Sequence, residues 1–154
     1  MFINIIPQRL FQGPYPNNTE ELIKNIGKYN TNVIVDLTTF SNIYKSELPS
    51  ELQESIEFVK YPIEDYSVPT DDKKFIELIE KLFILYTQQN KNIFIHCQGG
   101  RGRSSIISCC LFAKINNITS GTQVIQMISS ILHFEIPETY EQKEYIRRYI
   151  RRYV

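Results

Sequence analysis

One short stretch of the chain concentrates groups that could do chemistry: His96-Cys97-Gln98-Gly99-Gly100-Arg101-Gly102-Arg103-Ser104-Ser105. A nucleotide-binding loop would carry a lysine after the glycines, and none follows. A dinucleotide fingerprint would need a third correctly spaced glycine, and Cys97 would have no role in it. What the stretch offers is a thiol and, beyond five intervening residues, an arginine. The three glycines let the backbone curl tightly with amide N–H groups pointing inward. With a strand ending at the thiol and a helix starting at the arginine, those amides and the positive helix terminus make an anion cradle. Arg103 adds a planar, two-pronged donor for phosphate oxygens. Cys97 at the bottom of such a bowl is favoured as the thiolate. A thiolate beneath a bound phosphate is placed for in-line attack on phosphorus.

The elements that must position this stretch are legible on both sides of it. Ile93 to Ile95 reads as a buried strand, and a helix runs from Arg103 to about Ile115, broken by Asn116-Asn117. Val33 to Leu37 is a continuous apolar run of the kind buried on both faces. Ile56 to Tyr61 is a further strand. Ile3 to Ile6 and Leu10 to Gln12 are short edge strands, followed by the turn Gly13-Pro14-Tyr15-Pro16. Asn18 before Thr19-Glu20-Glu21 has a capping-box pattern, and Leu22, Ile23 and Ile26 form a helical stripe behind it. Thr70 is the expected N-cap of a long helix. Asp71 and Asp72 fall in its first turn, and Phe75, Leu78, Ile79, Leu82, Phe83 and Tyr86 on its buried face. Helices over Ser120 to Leu132 and from Thr139 onward complete the chain. Strands alternating with helices predict an α/β fold with a central, mostly parallel sheet and helices on both faces. The active site of such a sheet lies at the carboxyl ends of its strands, where Cys97 falls.

At 154 residues the chain has the size of one ordinary domain, and a single domain over residues 1–154 is expected. Its 17 Lys and Arg balance 17 Asp and Glu, which excludes a strongly basic nucleic-acid protein but not a local patch. A hydrophobic content of 42% with 22% charged residues is globular rather than disordered. No apolar run approaches the ~20 residues of a membrane span. The start, MFINIIPQRL, lacks the basic and apolar regions of a signal peptide. The sparse, odd set of cysteines (Cys97, Cys109 and Cys110) argues for a reducing compartment. A cytoplasmic or nuclear location is therefore expected.

The pattern His-Cys-x-x-Gly-x-Gly-Arg-Ser resembles the signature loop of the cysteine-dependent protein tyrosine and dual-specificity phosphatases. Gln98-Gly99-Gly100 is most similar to the kinase-associated phosphatase branch. Gln12-Gly13-Pro14-Tyr15-Pro16 resembles the family's opening turn, and Tyr61-Pro62-Ile63-Glu64-Asp65 resembles the general-acid loop of its small dual-specificity members. The resemblance implies a dual-specificity phosphatase-like fold and hydrolysis of phosphomonoesters through a cysteinyl-phosphate. The implied substrates are phosphorylated proteins, carrying phosphotyrosine and also phosphoserine or phosphothreonine. It further implies that Cys97 is the nucleophile and that Arg103 binds phosphate together with the loop of Gln98, Gly99, Gly100, Arg101 and Gly102. Asp65 would protonate the leaving oxygen. Ser104 would stabilise the departing thiolate, and His96 would hold the Cys97 backbone through hydrogen bonds. No metal and no cofactor is required.

Several residues admit two readings. Asp71 and Asp72 compete with Asp65 for the acid's role, but read more simply as helix-start carboxylates. Gln142 resembles a water-orienting glutamine of the family, while Thr139-x-x-Gln142 is also a capping box. Arg101 either attracts an acidic substrate or is merely solvated. Cys109 and Cys110, among Ile106, Ile107, Leu111 and Phe112, read as core. Cys109 lies about 9 Å beyond Arg103 along a helix, too far for a disulfide with Cys97. Lys143, Arg147, Arg148, Arg151 and Arg152 crowd the last helix, with Tyr145, Tyr149 and Tyr153 at every fourth position. Its aromatics face the core and its arginines face water, unless the patch serves RNA, anionic lipid or an acidic partner. Two rival functions stay open. One is an RNA 5′-phosphatase or triphosphatase, or a phosphoinositide phosphatase, of the same fold; Asp36-Leu37-Thr38-Thr39 with Tyr44 resembles the RNA-directed branch. The other is a non-catalytic phosphate-binding module, which would have no use for a nucleophile and an acid together.

Overall fold

The two most apolar runs, around Val35 and Phe94, suit strands covered on both faces, and they lie side by side in the middle of one sheet. A computed structural model describes residues Met1–Val154. Its strands are β1 (Ile3–Ile6), β2 (Leu10–Gly13), β3 (Val33–Asp36), β4 (Glu57–Lys60) and β5 (Ile93–His96), in the order β1-β2-β5-β3-β4. β5 runs parallel to β2 and β3, and β3 runs parallel to β4, whereas β1 is an antiparallel edge strand. The register aligns the carboxyl ends: His96 lies opposite Gly13 on one side and Asp36 on the other, and Asp36 lies opposite Lys60.

Seven helices connect and cover the sheet: α1 (Thr19–Tyr29), α2 (Tyr44–Glu47), α3 (Ser50–Ser55), α4 (Asp72–Thr87), α5 (Arg103–Asn116), α6 (Gly121–Leu132) and α7 (Tyr140–Tyr153). The two-residue period of the strands sorts side chains between two cores. Leu10, Val33, Val35, Ile93 and Ile95 join the larger core with residues of α4, α5, α6 and α7. Phe11, Ile34 and Phe94 point the other way, to Leu22 and Ile26 of α1 and to Tyr44, Leu48 and Ile56. α5 is wrapped on all sides, and every residue from Arg103 to Ala113 is buried. Burial on all sides holds the N-terminus of α5 firmly over the end of β5.

Some expectations shift. The fourth strand is Glu57–Lys60 rather than Ile56 to Tyr61, and its residues are not fully buried because it is an edge strand. The N-cap of α4 is Asp71, whose carboxylate accepts the Lys74 N–H at 3.1 Å; Thr70 precedes it. Phe83 and Tyr86 are only partly buried, and Leu85 takes an inner place instead. The two rings are covered by cationic side chains, Lys114 over Phe83 and Arg9 over Tyr86 with its guanidinium 3.9 Å from the ring centre. Tyr153 packs against Tyr149 with its ring tilted by 40° but stays 45% exposed, outside the core. The short helices α2 and α3 have no counterpart in the expected elements. Asp71→Ala is expected to cost about 1 kcal/mol in urea denaturation through loss of the cap, while Thr70→Ala stays within about 0.5 kcal/mol of wild type.

Candidate active site

β5 ends in His96, and the chain turns at once into the loop 97–102 before α5 begins. Cys97 is buried at the base of this loop. Its sulfur accepts the Gly100 N–H at 3.2 Å and lies 3.4 Å from the Ser104 hydroxyl. No side chain caps α5, so its positive end is directed at the loop. Gly100 adopts φ = 80°, a backbone that side chains disfavour. A Cβ on Gly102 would lie 2.6 Å from Glu138 Oε1, so the loop also packs against the start of α7. Gln98, Gly99 and Arg101 are exposed on the rim.

Arg103 is only 4% exposed. One guanidinium nitrogen, Nη1, donates to the Ile63 carbonyl at 2.9 Å, and Nη2 lies 3.3 Å from Asp65 Oδ1. A guanidinium has five N–H donors, so these contacts leave others for a phosphate. Asp65 also accepts the N–H of Tyr66, a residue at φ = 59° that turns the loop outward. Cys97, Arg103, Ser104 and Asp65 therefore come together. Asp71 and Asp72 do not. Asp71 caps α4, and Asp72 accepts the Tyr145 hydroxyl at 3.0 Å and lies 3.6 Å from Arg148.

His96 is fully buried beneath the loop. Its Nδ1 is 3.1 Å from the Cys97 carbonyl, which can only accept, so the proton sits on Nδ1. Nε2 then accepts the Tyr44 hydroxyl at 2.8 Å. Burial lowers the pKa of His96, which keeps the ring neutral. Beside it lies Asp36, with Oδ1 at 4.0 Å from Nε2. Burial by itself would raise the Asp36 carboxyl, but donors from Thr38 and Asn42 hold it below the ordinary value. Oδ1 accepts the Thr38 N–H and hydroxyl, and Oδ2 accepts Asn42 and, at 3.0 Å, Lys60. Gln12, Tyr44 and Lys60 also join the site at this end of the sheet, and none of them belongs to a chemical motif in the sequence. The available signal was three polar side chains, Gln12, Asp36 and Lys60, at or next to the carboxyl ends of β2, β3 and β4.

Gln142 completes the capping box with Thr139 and also donates to the Ser67 carbonyl at 3.0 Å. Arg101 stacks over Phe134, 4.2 Å from its ring centre. Cys109 and Cys110 are free and buried in the core, and burial pushes both thiols up. On α7, Tyr145 and Tyr149 enter the core, Arg147 pairs with Glu144, and Arg148 pairs with Asp72. Arg151 and Arg152 face solvent. No group of three or more His, Cys, Asp or Glu is arranged to hold a metal ion, and no helix is long and apolar enough to cross a membrane.

Residues 14–115 match the family described as "Polymorphic toxin system, DSP-PTPase phosphatase". Over 109 residues, 70% of this chain, it is 29% identical to protein 197R of Invertebrate iridescent virus 6, which is named as a tyrosine phosphatase. Over 89 residues, 58% of the chain, it is 30% identical to cyclin-dependent kinase inhibitor 3 of Sus scrofa. The match spans 40% of the viral protein and 41% of the porcine one. Among solved structures, Tk-PTP in its active form superposes with a TM-score of 0.69 at 20% identity, over 94% of this chain and 92% of that one.

The buried pair beneath the loop makes stability depend on acidity. Both His96 and Asp36 have folded pKa values below their ordinary 6.5 and 3.8. Below pH 6.5 the unfolded chain takes up a proton that folded His96 refuses, so stability falls as pH drops, by at most about 1.4 kcal/mol per pH unit. Asp36 adds its own loss near and below pH 3.8. Thermal melts between pH 7.5 and 5 are expected to show a falling Tm, and His96→Gln is expected to flatten that slope.

Proposed function

The chain belongs to the DSP-PTPase phosphatase family, and from that premise we propose that it hydrolyses phosphomonoesters of proteins, phosphotyrosine together with phosphoserine or phosphothreonine, through a cysteinyl-phosphate. The loop amides from Gln98 to Arg103 and the Arg103 guanidinium hold the phosphate dianion. The Cys97 thiolate attacks phosphorus in line, forming the S–P bond as the P–O bond to the leaving group breaks. Asp65 gives its proton to that departing oxygen. The resulting Asp65 carboxylate then takes a proton from the water that attacks the cysteinyl-phosphate. Inorganic phosphate leaves, and the restored thiolate receives the Ser104 hydroxyl as a donor. Charge that develops on the equatorial oxygens faces donors already in place, the main source of such rate enhancements.

The observation that carries this reading is that Arg103, the residue directly after the nucleophile's loop, extends its guanidinium to within 3.3 Å of Asp65. A module that only binds phosphate gains nothing from a carboxylate there, and an enzyme that dispenses with a general acid does not need one. Phosphotyrosine as a substrate is also in keeping with the name of the viral relative. The exposed Arg151 and Arg152 are the part of α7 available to an acidic partner.

Cys97→Ser is expected to abolish hydrolysis of an aryl phosphate while leaving vanadate binding in place, because the cradle survives and the nucleophile does not. Turnover retained in a clean Cys97→Ser preparation would remove the mechanism. Asp65→Asn separates the acid from binding. Phosphotyrosine and phosphoserine peptides should lose about 100-fold or more in kcat, and an aryl phosphate with a low-pKa leaving group should lose much less. Equal losses on both substrates would move the acid elsewhere. A preference for 5′-triphosphorylated RNA or phosphoinositide over phosphopeptides in the same assays would favour the rival substrates.

A further inference from the structure

Gln12 is a glutamine with no exposed surface in the strand Leu10-Phe11-Gln12-Gly13, beside two fully buried apolar residues. Burying a carboxamide costs free energy unless its polar atoms are matched, and here all of them are. Nε2 lies 2.9 Å from the Gly100 carbonyl and 2.8 Å from the Ser105 hydroxyl, and Oε1 lies 2.5 Å from the Ser108 hydroxyl. The Ser105 hydroxyl is 2.6 Å from the Arg101 carbonyl. Proton counting settles every direction. The Arg101 carbonyl can only accept, so Ser105 spends its single proton there and accepts from Nε2. The Gly100 carbonyl can also only accept, so nitrogen rather than oxygen must face it. Ser108 then donates to Oε1.

This network converges on the loop that binds phosphate. Three residues farther along, the Tyr15 N–H donates to the Gln98 carbonyl at 3.0 Å. The segment 12–15 thus grips two alternate carbonyls of the loop, those of Gln98 and Gly100, from the β2 side. In a trans peptide the C=O and the following N–H point in opposite directions. Held this way, the N–H groups of Gly99 and Arg101 are turned away from β2, towards the bowl above Cys97. A glycine-rich turn does not hold such an orientation unaided. Gly100 is free to adopt either sign of φ, and a Cβ on Gly99 would meet nothing within 4 Å. Were the Gly100–Arg101 peptide to flip, a carbonyl oxygen would replace an N–H against a dianion.

We propose that Gln12 is a positioning residue of the phosphate-binding loop, whose carboxamide locks the Gly100–Arg101 peptide so that the Arg101 N–H faces the bound phosphate. The proposal rests on the phosphatase reading above. Ser105 holds the Nε2 end of the carboxamide and also restrains the next carbonyl of the loop, whereas Ser108 only satisfies Oε1.

The test compares Gln12→Met with Ser108→Ala, reading vanadate affinity, aryl phosphate kinetics and Tm. Gln12→Met keeps the volume of the side chain and removes its grip on Gly100. Vanadate affinity is expected to weaken about tenfold, the scale of one buried hydrogen bond and its unpaired partner, with KM rising more than kcat falls. Ser108→Ala removes a bond of the same network but spares both Nε2 contacts, so it should lower Tm while leaving vanadate affinity within twofold. Unchanged vanadate affinity in Gln12→Met overturns the proposal. So does an equal loss in the two variants at equal Tm, which would be general loosening. If Gln12→Met shows no cooperative melt, Ser105→Ala takes its place, with about threefold weaker vanadate binding expected and no change overturning the proposal. A wild-type protein that fails to bind vanadate at all would instead overturn the phosphatase reading.

Discussion

A Cβ on Gly100 would lie 2.7 Å from the carbonyl carbon of Gly13 and 2.8 Å from the nitrogen of Pro14. No side chain fits between these backbones, and the rest of the site follows from that contact. It presses the middle of the loop onto the end of β2, whose Gly13 stands opposite His96 in the parallel register. With the loop held down there, the Gly100 N–H reaches Cys97 Sγ, and the chain can rise into α5 within two residues. The burial of α5 on every side fixes the other end of the loop. Two rigid supports, a strand end and a helix start, thus hold a turn that three glycines would otherwise leave loose.

The polar groups of the site separate into two layers. Above Cys97 are donors: the loop amides, the helix start and Arg103. Below it is a compensated knot, in which Asp36 takes four hydrogen bonds and His96 stays neutral between Tyr44 and the Cys97 carbonyl. A carboxylate buried here would be costly if left bare. Lys60, 3.0 Å from Asp36 and 39% exposed, supplies the countercharge without being fully desolvated. Because Asp36, His96 and Lys60 stand on three adjacent parallel strands, the same contacts also tie the carboxyl ends of β3, β4 and β5 together.

What the sequence reveals is what lies close along the chain. Cys97 to Ser104 is contiguous, so its chemistry, the strand before it and the helix after it are readable directly. The central strands announce themselves by unbroken apolar runs. Contacts across long separations are not announced. Gln12 touches residues 88 to 96 positions away, and in the sequence it is one polar residue in a short strand. Tyr44 reaches His96 from a four-residue helix too short to show a period. Thr70 and Asp71 are adjacent and both can cap, so composition could not choose between them; the Lys74 N–H chose the carboxylate. Phe83 and Tyr86 fall on the right helical stripe, but periodicity says nothing of the Lys114 and Arg9 side chains that cover them.

Asp65 was readable as a member of a loop, but its contact with Arg103 was not. That contact joins an almost fully buried cation to a carboxylate that is 52% exposed. An ion pair so open to water contributes about 0–1 kcal/mol, too little to act as a lock. A phosphate dianion reaching the same guanidinium offers a charge-assisted, two-pronged partner instead. On the proposed mechanism the two anions compete for one cation, and the weaker, exposed one yields. The Asp65 carboxylate is then released beside the bound phosphate, where it takes up a proton from solvent and can pass it to the leaving oxygen. Arg103 keeps its hold on the Ile63 carbonyl two residues earlier, so the acid's loop stays docked while its side chain is freed. A weak ion pair at this position therefore serves the chemistry better than a strong one would.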